Sequence, residues 1–391
     1  MRQSQKVVIS DYPNRMSVRI VPINDKASKK KFIKFPIRLY KDCPYYVPSL
    51  VLDELGTLDS EKNPAFDFCE QQLFLAYKDN KIVGRIAAII NHRSNEIWNQ
   101  KHARFGFVDF IDDNEVVDAL FSTAEEWARN KGMNAIQGPM GFTDLDHEGL
   151  LVFGYDRIST MATTYSYPYY KDQIERLGYE KDVDWHEFYI PVPEAVPERH
   201  QRIANIIANK YGLKLLKFKN LKQITPYVDK LFNLLNEAYA PLYGFVPLTQ
   251  KQIDYYVKMY VPLLRWDIVS LIIKEDTDEL VAFGIGMPSL SLALQKAGGK
   301  LFPRGWYHLL KALKFKSNKV IDLLLIGIAP EYQGKGVNAM IFNDFIPSAH
   351  KSGFHFAESN PELEQNNKVS ALWDDFNAEH HKTRRAFTKK I

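Results

Sequence analysis

Cysteine is nearly absent from the chain: only Cys43 and Cys69 occur among its 391 residues. They lack the spacing of a metal-binding pair, so neither a disulfide framework nor a zinc site is indicated, and a reducing cytoplasm is expected. Long apolar runs are missing too. Nothing approaches the ~20 consecutive apolar residues of a membrane span. The opening residues, MRQSQKVVISDYPNR, carry no apolar signal-peptide core. A soluble, unexported protein without a membrane partner is the expectation. Charge of one sign is also lacking. Lys and Arg number 51 against 47 Asp and Glu, interspersed to a net +4, so no nucleic-acid partner is called for.

What is present is material for a core. Apolar residues make up 46% of the chain, with 24 Phe and 21 Tyr, which indicates a folded protein. Its length predicts two domains. Residues 32–55 read as short helices broken by Pro36, Pro44 and Pro48. Residues 72–91 form two β-type runs about Asp79-Asn80, a hairpin signal. A strand over 103–111, a helix over 114–132, a strand over 133–138, a helix over 169–177 and a strand over 179–190 follow. Three prolines within 191–200 place a linker between domains spanning 1–190 and 201–391. The second half then repeats the order of elements: a strand at 213–218, helices at 221–238 and 249–264, and a hairpin about residues 276–278. A basic, aromatic insertion at 291–316 contains a helix at 306–313. A buried strand precedes a helix running from 337 to about 348, which Pro347 should end or kink. A strand at 354–360, a helix at 366–376 and a closing strand from 383 complete the pattern.

The strongest local signal is the passage from Ile326-Gly327-Ile328 through Tyr332, Gln333, Gly334, Lys335 and Gly336 into a helix at Val337 and Asn338. A helix start presents unpaired N–H groups and partial positive charge, and flanking glycines let a phosphate approach them closely. No Ser, Thr or Asp stands there to cap the helix. The spacing fits neither the nucleotide P-loop nor the dinucleotide fingerprint.

The six residues 333–338 resemble the acyl-CoA pyrophosphate loop of the GNAT superfamily, Gln/Arg-x-x-Gly-x-Gly/Ala, with Asn338 in place of the small final residue. The resemblance covers about 213–391. It includes a segment from Asn366 to Asn377 similar to the family's last helix, where Trp373 stands at the usual Tyr and Asn377 at the terminal Gly. The resemblance implies an α/β (α+β) fold of two GNAT-like domains, each with a mixed, mostly antiparallel central sheet flanked by helices. It also implies acetyl-CoA or another acyl-CoA as co-substrate, no metal, and an N-acyltransferase acting on a small-molecule or peptide amine by direct attack. Ile326, Gly327, Ile328, Gln333, Gly334, Lys335, Gly336, Val337, Asn338 and Trp373 would bind the cofactor, with a backbone donor near Gly327 for the oxyanion.

Glu358, where the central strands of such a fold splay, is the expected general base, its plainer reading being a solvated strand-end carboxylate. Trp373 cannot protonate the thiolate, which leaves Tyr332 or water. The loop 112–115 of the first half is acidic and would repel a pyrophosphate, so that half is expected not to bind CoA. Residues 138–157, with Asp144, Asp146, His147 and Glu148, form a candidate acceptor loop. Two other readings stand beside this one: a peptidyltransferase taking aminoacyl-tRNA along a basic groove at 300–319, and a CoA-binding protein without turnover. No motif specifies the acyl chain, the acceptor or the oligomeric state.

Overall fold

The structure, a computed structural model, describes residues 18–315, 318–366 and 372–391. The first half supplies strands β1 (Arg19–Ile23), β2 (Cys69–Lys78), β3 (Lys81–Asn91), β4 (His102–Phe110), β5 (Ala135–Gly138), β6 (Leu150–Phe153) and β7 (Glu180–Pro191). The second supplies β8 (Leu213–Leu216), β9 (Val269–Lys274), β10 (Glu279–Pro288), β11 (Val320–Ile328), β12 (Phe356–Ser359), β13 (Glu362–Leu363) and β14 (Glu379–Lys390). Helices of the first half are α1 (Lys26–Leu39), α2 (Val51–Thr57), α3 (His92–Ile97), α4 (Asn114–Asn130) and α5 (Tyr169–Arg176). Those of the second are α6 (Glu198–Tyr211), α7 (Leu221–Ile224), α8 (Val228–Tyr239), α9 (Gln250–Tyr260), α10 (Ser291–Ala297), α11 (Gly305–Lys314) and α12 (Asn338–Ser352). None is long and apolar enough to cross a membrane.

The two hairpins form where the sequence places them. Asp79 and Asn80 adopt φ of 52° and 60°, and Asp278 adopts 53°, the left-handed values that tight hairpin turns need. Prolines behave less simply. Pro36 lies inside α1 rather than breaking it. A helical proline leaves the carbonyl four residues earlier without its N–H partner. Here that carbonyl, Phe32 O, accepts from the buried Arg85 guanidinium at 3.3 Å. The longer helix α12 likewise continues through Pro347 to Ser352, with Phe345, Ile346 and Ala349 buried on either side. A short helix, α10, forms in the insertion where none was expected. Of the helix expected over 366–376, residues 367–371 lie outside the described residues. Asp374–Phe376 makes a single 3-10 turn, which Asn377 closes at φ 52°.

The strands build one continuous fourteen-stranded sheet, in the order β1-β2-β3-β4-β5-β14-β7-β12-β11-β10-β9-β8, with β6 and β13 pairing off this path. Its centre is an exchange between halves. The chain's last strand, β14, lies antiparallel between β5 and β7 of the first half, while β7 pairs in turn with β12 of the second. The apolar stripe of α8 packs Leu231, Leu234 and Leu235 against Leu271, Phe283 and Ile285 on one side of the second half. Helices α6 and α12 cover Ile272, Ala282 and Ile326 on the other.

Candidate active site

Strands β11 and β12 run parallel and stay paired only from Val320 to Leu323, opposite Phe356 to Ser359. Beyond that point they part. Asn360 sits at the fork, its backbone N–H donating to Leu323 O at 3.2 Å and its side-chain amide to Leu324 O at 2.7 Å. The pairing of β11 with β10 skips Leu324, so a β-bulge bends the strand at the same place. The bulge lies three residues before Gly327. Gly327 answers to packing, since an added Cβ would stand 2.4 Å from the Phe283 ring. From Leu324 onward, β11 borders a groove on the side where β12 has turned away, and most of its residues are half-buried despite a central place in the sheet.

The groove runs toward the glycine loop. Gly334 and Gly336 hold φ of 74° and 86°, values open to glycine and strained for other residues. No side chain caps α12. Among the described residues, the backbone N–H groups of Gly336 and Val337 make no hydrogen bond. Ile203 of α6 fixes the loop from beneath, 2.9 Å from where a Gly336 Cβ would stand, and Val337 is fully buried. The ammonium of Lys335 lies 5.3 Å from the ring centre of Tyr211 and 5.5 Å from that of Tyr332, with Lys210 also over Tyr211. Gln333 turns its amide back to Ile328 O at 3.2 Å. Free N–H donors at a helix start, two accommodating glycines and nearby ammonium groups suit a pyrophosphate. The corresponding start of α4 is closed. Asp113 accepts from Glu115 N at 3.0 Å and Val116 N at 3.4 Å and pairs with Lys78 at 2.6 Å, filling the position an anion would take.

The expected catalytic pair is not brought together. Glu358 pairs with Asp322 at the start of β11, whereas Tyr332 lies beyond its end, and six residues, roughly 20 Å of extended strand, separate Asp322 from Ile328. Glu358 is not a solvated strand end either. It is buried and bonded to Lys382, with His381 Nε2 at 3.3 Å. A bulge in β14 at His381 turns both neighbours toward this carboxylate. Lys382 also meets Glu187 at 2.8 Å, and Arg384 meets Glu187 at 2.6 Å. Burial raises the energy of the Glu187 carboxylate, but Arg384 and Lys382 outweigh it and hold its pKa down to about 2. Asp322, buried beside Glu358, is pushed up to about 8 by desolvation and that neighbour. Ligand atoms of Glu187, Glu358 and His381 lie within 4.8 Å of one another, as around a metal ion, yet the Lys382 ammonium already bridges the two carboxylates. This stripe joins the exchanged strands.

A carboxylate that the sequence does not single out lies just past the fork, near Tyr239 and β11. Glu362, in β13 just past the fork, accepts the Trp373 indole N–H at 2.9 and 3.1 Å, and burial pushes its pKa up to about 8. Trp373 therefore supports Glu362 from behind, packed on Phe342. Tyr239 of α8 donates to Ile326 O at 3.0 Å, and burial, with Glu362 nearby, pushes its pKa up to about 12. The only sequence signal for Glu362 was its place six residues after the Phe356 strand begins.

The loop at 138–149 reaches across to the second half. Asp144 accepts from Val246 N at 2.9 Å, and Thr143 meets the Tyr256 hydroxyl at 3.1 Å, so the loop docks on the second half. Burial pushes Asp144 up to about 6 and Glu148 well above the usual carboxylate range, and one oxygen of each has no hydrogen-bond partner among the described residues. Trp185, Tyr243 and Leu363 pack together between this loop and Glu362.

No protein-family model matches the chain. Its sequence is 29% identical over 373 residues to Protein YghO of Escherichia coli strain K12, covering 94% of each chain. It is 27% identical over 380 residues to a bacterial ceramide synthase of Caulobacter vibrioides, covering 95% of this chain and 97% of that protein. In structure it is similar to a tandem GNAT protein from the clavulanic acid biosynthesis pathway, with a TM-score of 0.55, 12% identity and coverage of 96% and 98%. A GCN5-related N-acetyltransferase from Sphaerobacter thermophilus gives a TM-score of 0.50 at 11% identity, with coverage of 97% and 96%. The fold is that of tandem GNAT proteins.

Proposed function

We propose that this chain, with its tandem GNAT fold, is an acyl-CoA-dependent N-acyltransferase. The second half, 201–391, would hold the thioester, and the first, 1–190, would present the acceptor amine without binding CoA itself. The observation that carries this reading is the parting of β11 from β12 into a groove that leads to the uncapped start of α12. Pantetheine would lie along β11 past Ile326 and Gly327, with the pyrophosphate on the N–H groups of Gly336 and Val337 and near Lys335.

In the transfer, the amine nitrogen attacks the thioester carbonyl carbon, its proton passes to Glu362, and the C–S bond breaks as the thiolate takes up a proton. We assign Glu362 rather than Glu358 as the base, because Glu358 is tied to Lys382 while Glu362 borders the groove with a pKa suited to accepting a proton near neutrality. Tyr239, whose hydroxyl lies at Ile326 O, would reprotonate the thiolate in place of Tyr332. The likeness along nearly the whole chain to a bacterial ceramide synthase supports an acceptor amine borne on a lipid.

Calorimetry with acetyl-CoA and a long-chain acyl-CoA tests the loop, comparing wild type with Lys335→Glu and Gly336→Glu. Binding by wild type and its loss in both variants, with melting curves unchanged for Lys335→Glu, supports the assignment. No binding of either ligand by wild type overturns it. Thiol release with a panel of short and long-chain amines then identifies the acceptor class.

A further inference from the structure

Among the described residues, half of the exposed large apolar side chains fall within one short stretch, 291–315. They are Leu292, Phe302, Trp306, Tyr307, Leu310 and Phe315, of which Phe302 is 68% exposed. On α11, Trp306, Leu310 and Lys314 stand at i, i+4 and i+8 with Tyr307 and Lys311 beside them, so one face carries them all. On α10, Leu292 and Lys296 make a parallel pair. The stretch contains Lys296, Lys300, Arg304, Lys311 and Lys314 and no Asp or Glu. Among the described residues none of these five cations pairs with a carboxylate. The inner side is firmly seated. Leu294 and Leu313 pack with Met287 and Leu324, Gln295 donates to Pro44 O and Tyr46 O, and Ser291 donates to Ser159 O.

We propose that the outer face of α10 and α11 docks the protein on an anionic lipid bilayer. Exposed Trp, Tyr, Phe and Leu suit insertion at the headgroup boundary, and unpaired Lys and Arg suit lipid phosphates around them. The absence of any carboxylate within 291–315 gives the charge complementarity. RNA would use the aromatics and cations, but Leu292 and Leu310 would gain nothing from it. The expectation of no membrane partner rested on the lack of a span, which leaves surface docking open. The inner side of this platform packs on Leu324, the bulged residue at the fork of the groove, so docking would hold the groove near the membrane surface. The inference stands apart from the transferase reading.

Co-sedimentation of the full chain with phosphatidylcholine vesicles, with and without 30 mol% phosphatidylglycerol, tests it in the absence of acyl-CoA. Wild type is expected to pellet with the anionic vesicles and to be released at high salt. A Trp306→Ser/Leu310→Ser variant and a separate Lys311→Gln/Lys314→Gln variant should each lose at least ten-fold in binding while melting as wild type does. Wild type remaining in the supernatant overturns the proposal, as does undiminished binding by both variants. A tRNA mobility shift or a concentration-dependent dimer abolished by the same substitutions would also overturn it, assigning the face to those partners. Absence of vesicle binding by wild type that still binds acyl-CoA sinks only this inference, and vesicle binding by wild type that binds no acyl-CoA sinks only the proposed activity.

Discussion

The indole N–H of Trp373 reaches both oxygens of Glu362, at 2.9 and 3.1 Å, from a buried seat against Phe342. In the proposed reaction this contact would give Trp373 a positioning role that does not require it to donate a proton to a thiolate. Replacing Glu362 by Gln should lower kcat by about 10²- to 10³-fold and leave acyl-CoA affinity unchanged. The rate of wild type should rise with pH through about 8 as Glu362 loses its proton. Trp373→Phe should shift that limb. A kcat profile over pH 6–10 for the three proteins, with an acceptor found in the amine panel, checks both points, and an unmoved limb in Trp373→Phe would remove the positioning role.

The stripe of Glu187, Glu358, Lys382 and Arg384 is buried where the halves exchange strands. Lys382→Met leaves two buried carboxylates without their shared ammonium, so it should destabilise the protein by about 3–5 kcal/mol. Urea melts at pH 7 measure this, and a loss under 1 kcal/mol would contradict the burial.

Two carboxylates of this region set opposite pH trends. Asp322 has its pKa raised from 3.8 to about 8, so its contribution is fully present below 3.8 and is lost as pH rises through 8. Glu187 has its pKa lowered from 4.5 to about 2, so its contribution is present above 4.5 and is lost as pH falls through 2. Asp322→Asn should therefore flatten the decline in stability between pH 5 and pH 8.5. Denaturant midpoints at the two pH values, compared with wild type, give the readout.

Because β14 lies between β5 and β7, removing residues 379–391 strips a central strand from the first half. The truncated chain should lose cooperative unfolding of both halves. A fragment 1–200 should be unfolded or aggregated unless a peptide of residues 378–391 is added. Circular dichroism and sedimentation of the fragment with and without that peptide are the measurements; a well-folded fragment alone would refute the exchange.

Arg85 bonds Asp109 at 2.7 Å and occupies the Phe32 carbonyl that Pro36 frees. Arg85→Met should cost about 3 kcal/mol or more, since Asp109 is left buried and unpaired. Pro36→Ala in the same background should recover part of the loss by restoring an N–H partner to Phe32 O. A thermal-melt cycle over the single and double variants checks this coupling.

Much of the chain could be read in one dimension because the relevant physics is local. Turn residues such as Asp79-Asn80 and the periodicity of 221–238 or 114–130 act between neighbours. So does the pairing of Gly334 and Gly336 with an uncapped helix start, which is why that feature of the loop could be read in the sequence. Asp113 closing α4 is equally local. Tertiary structure decided the rest. The EHHKTRRAFTKK strand gives no sign of lying at the centre of the sheet, because a strand's partner depends on the path of the whole chain, and its fully buried Lys382 and Arg384 are bearable because Glu187 and Glu358 face them. The same dependence hid the carboxylate proposed as the base. Glu358 and Glu362 are alike by residue type, and only the fork at Asn360 assigns one to a buried ion pair and the other to the groove.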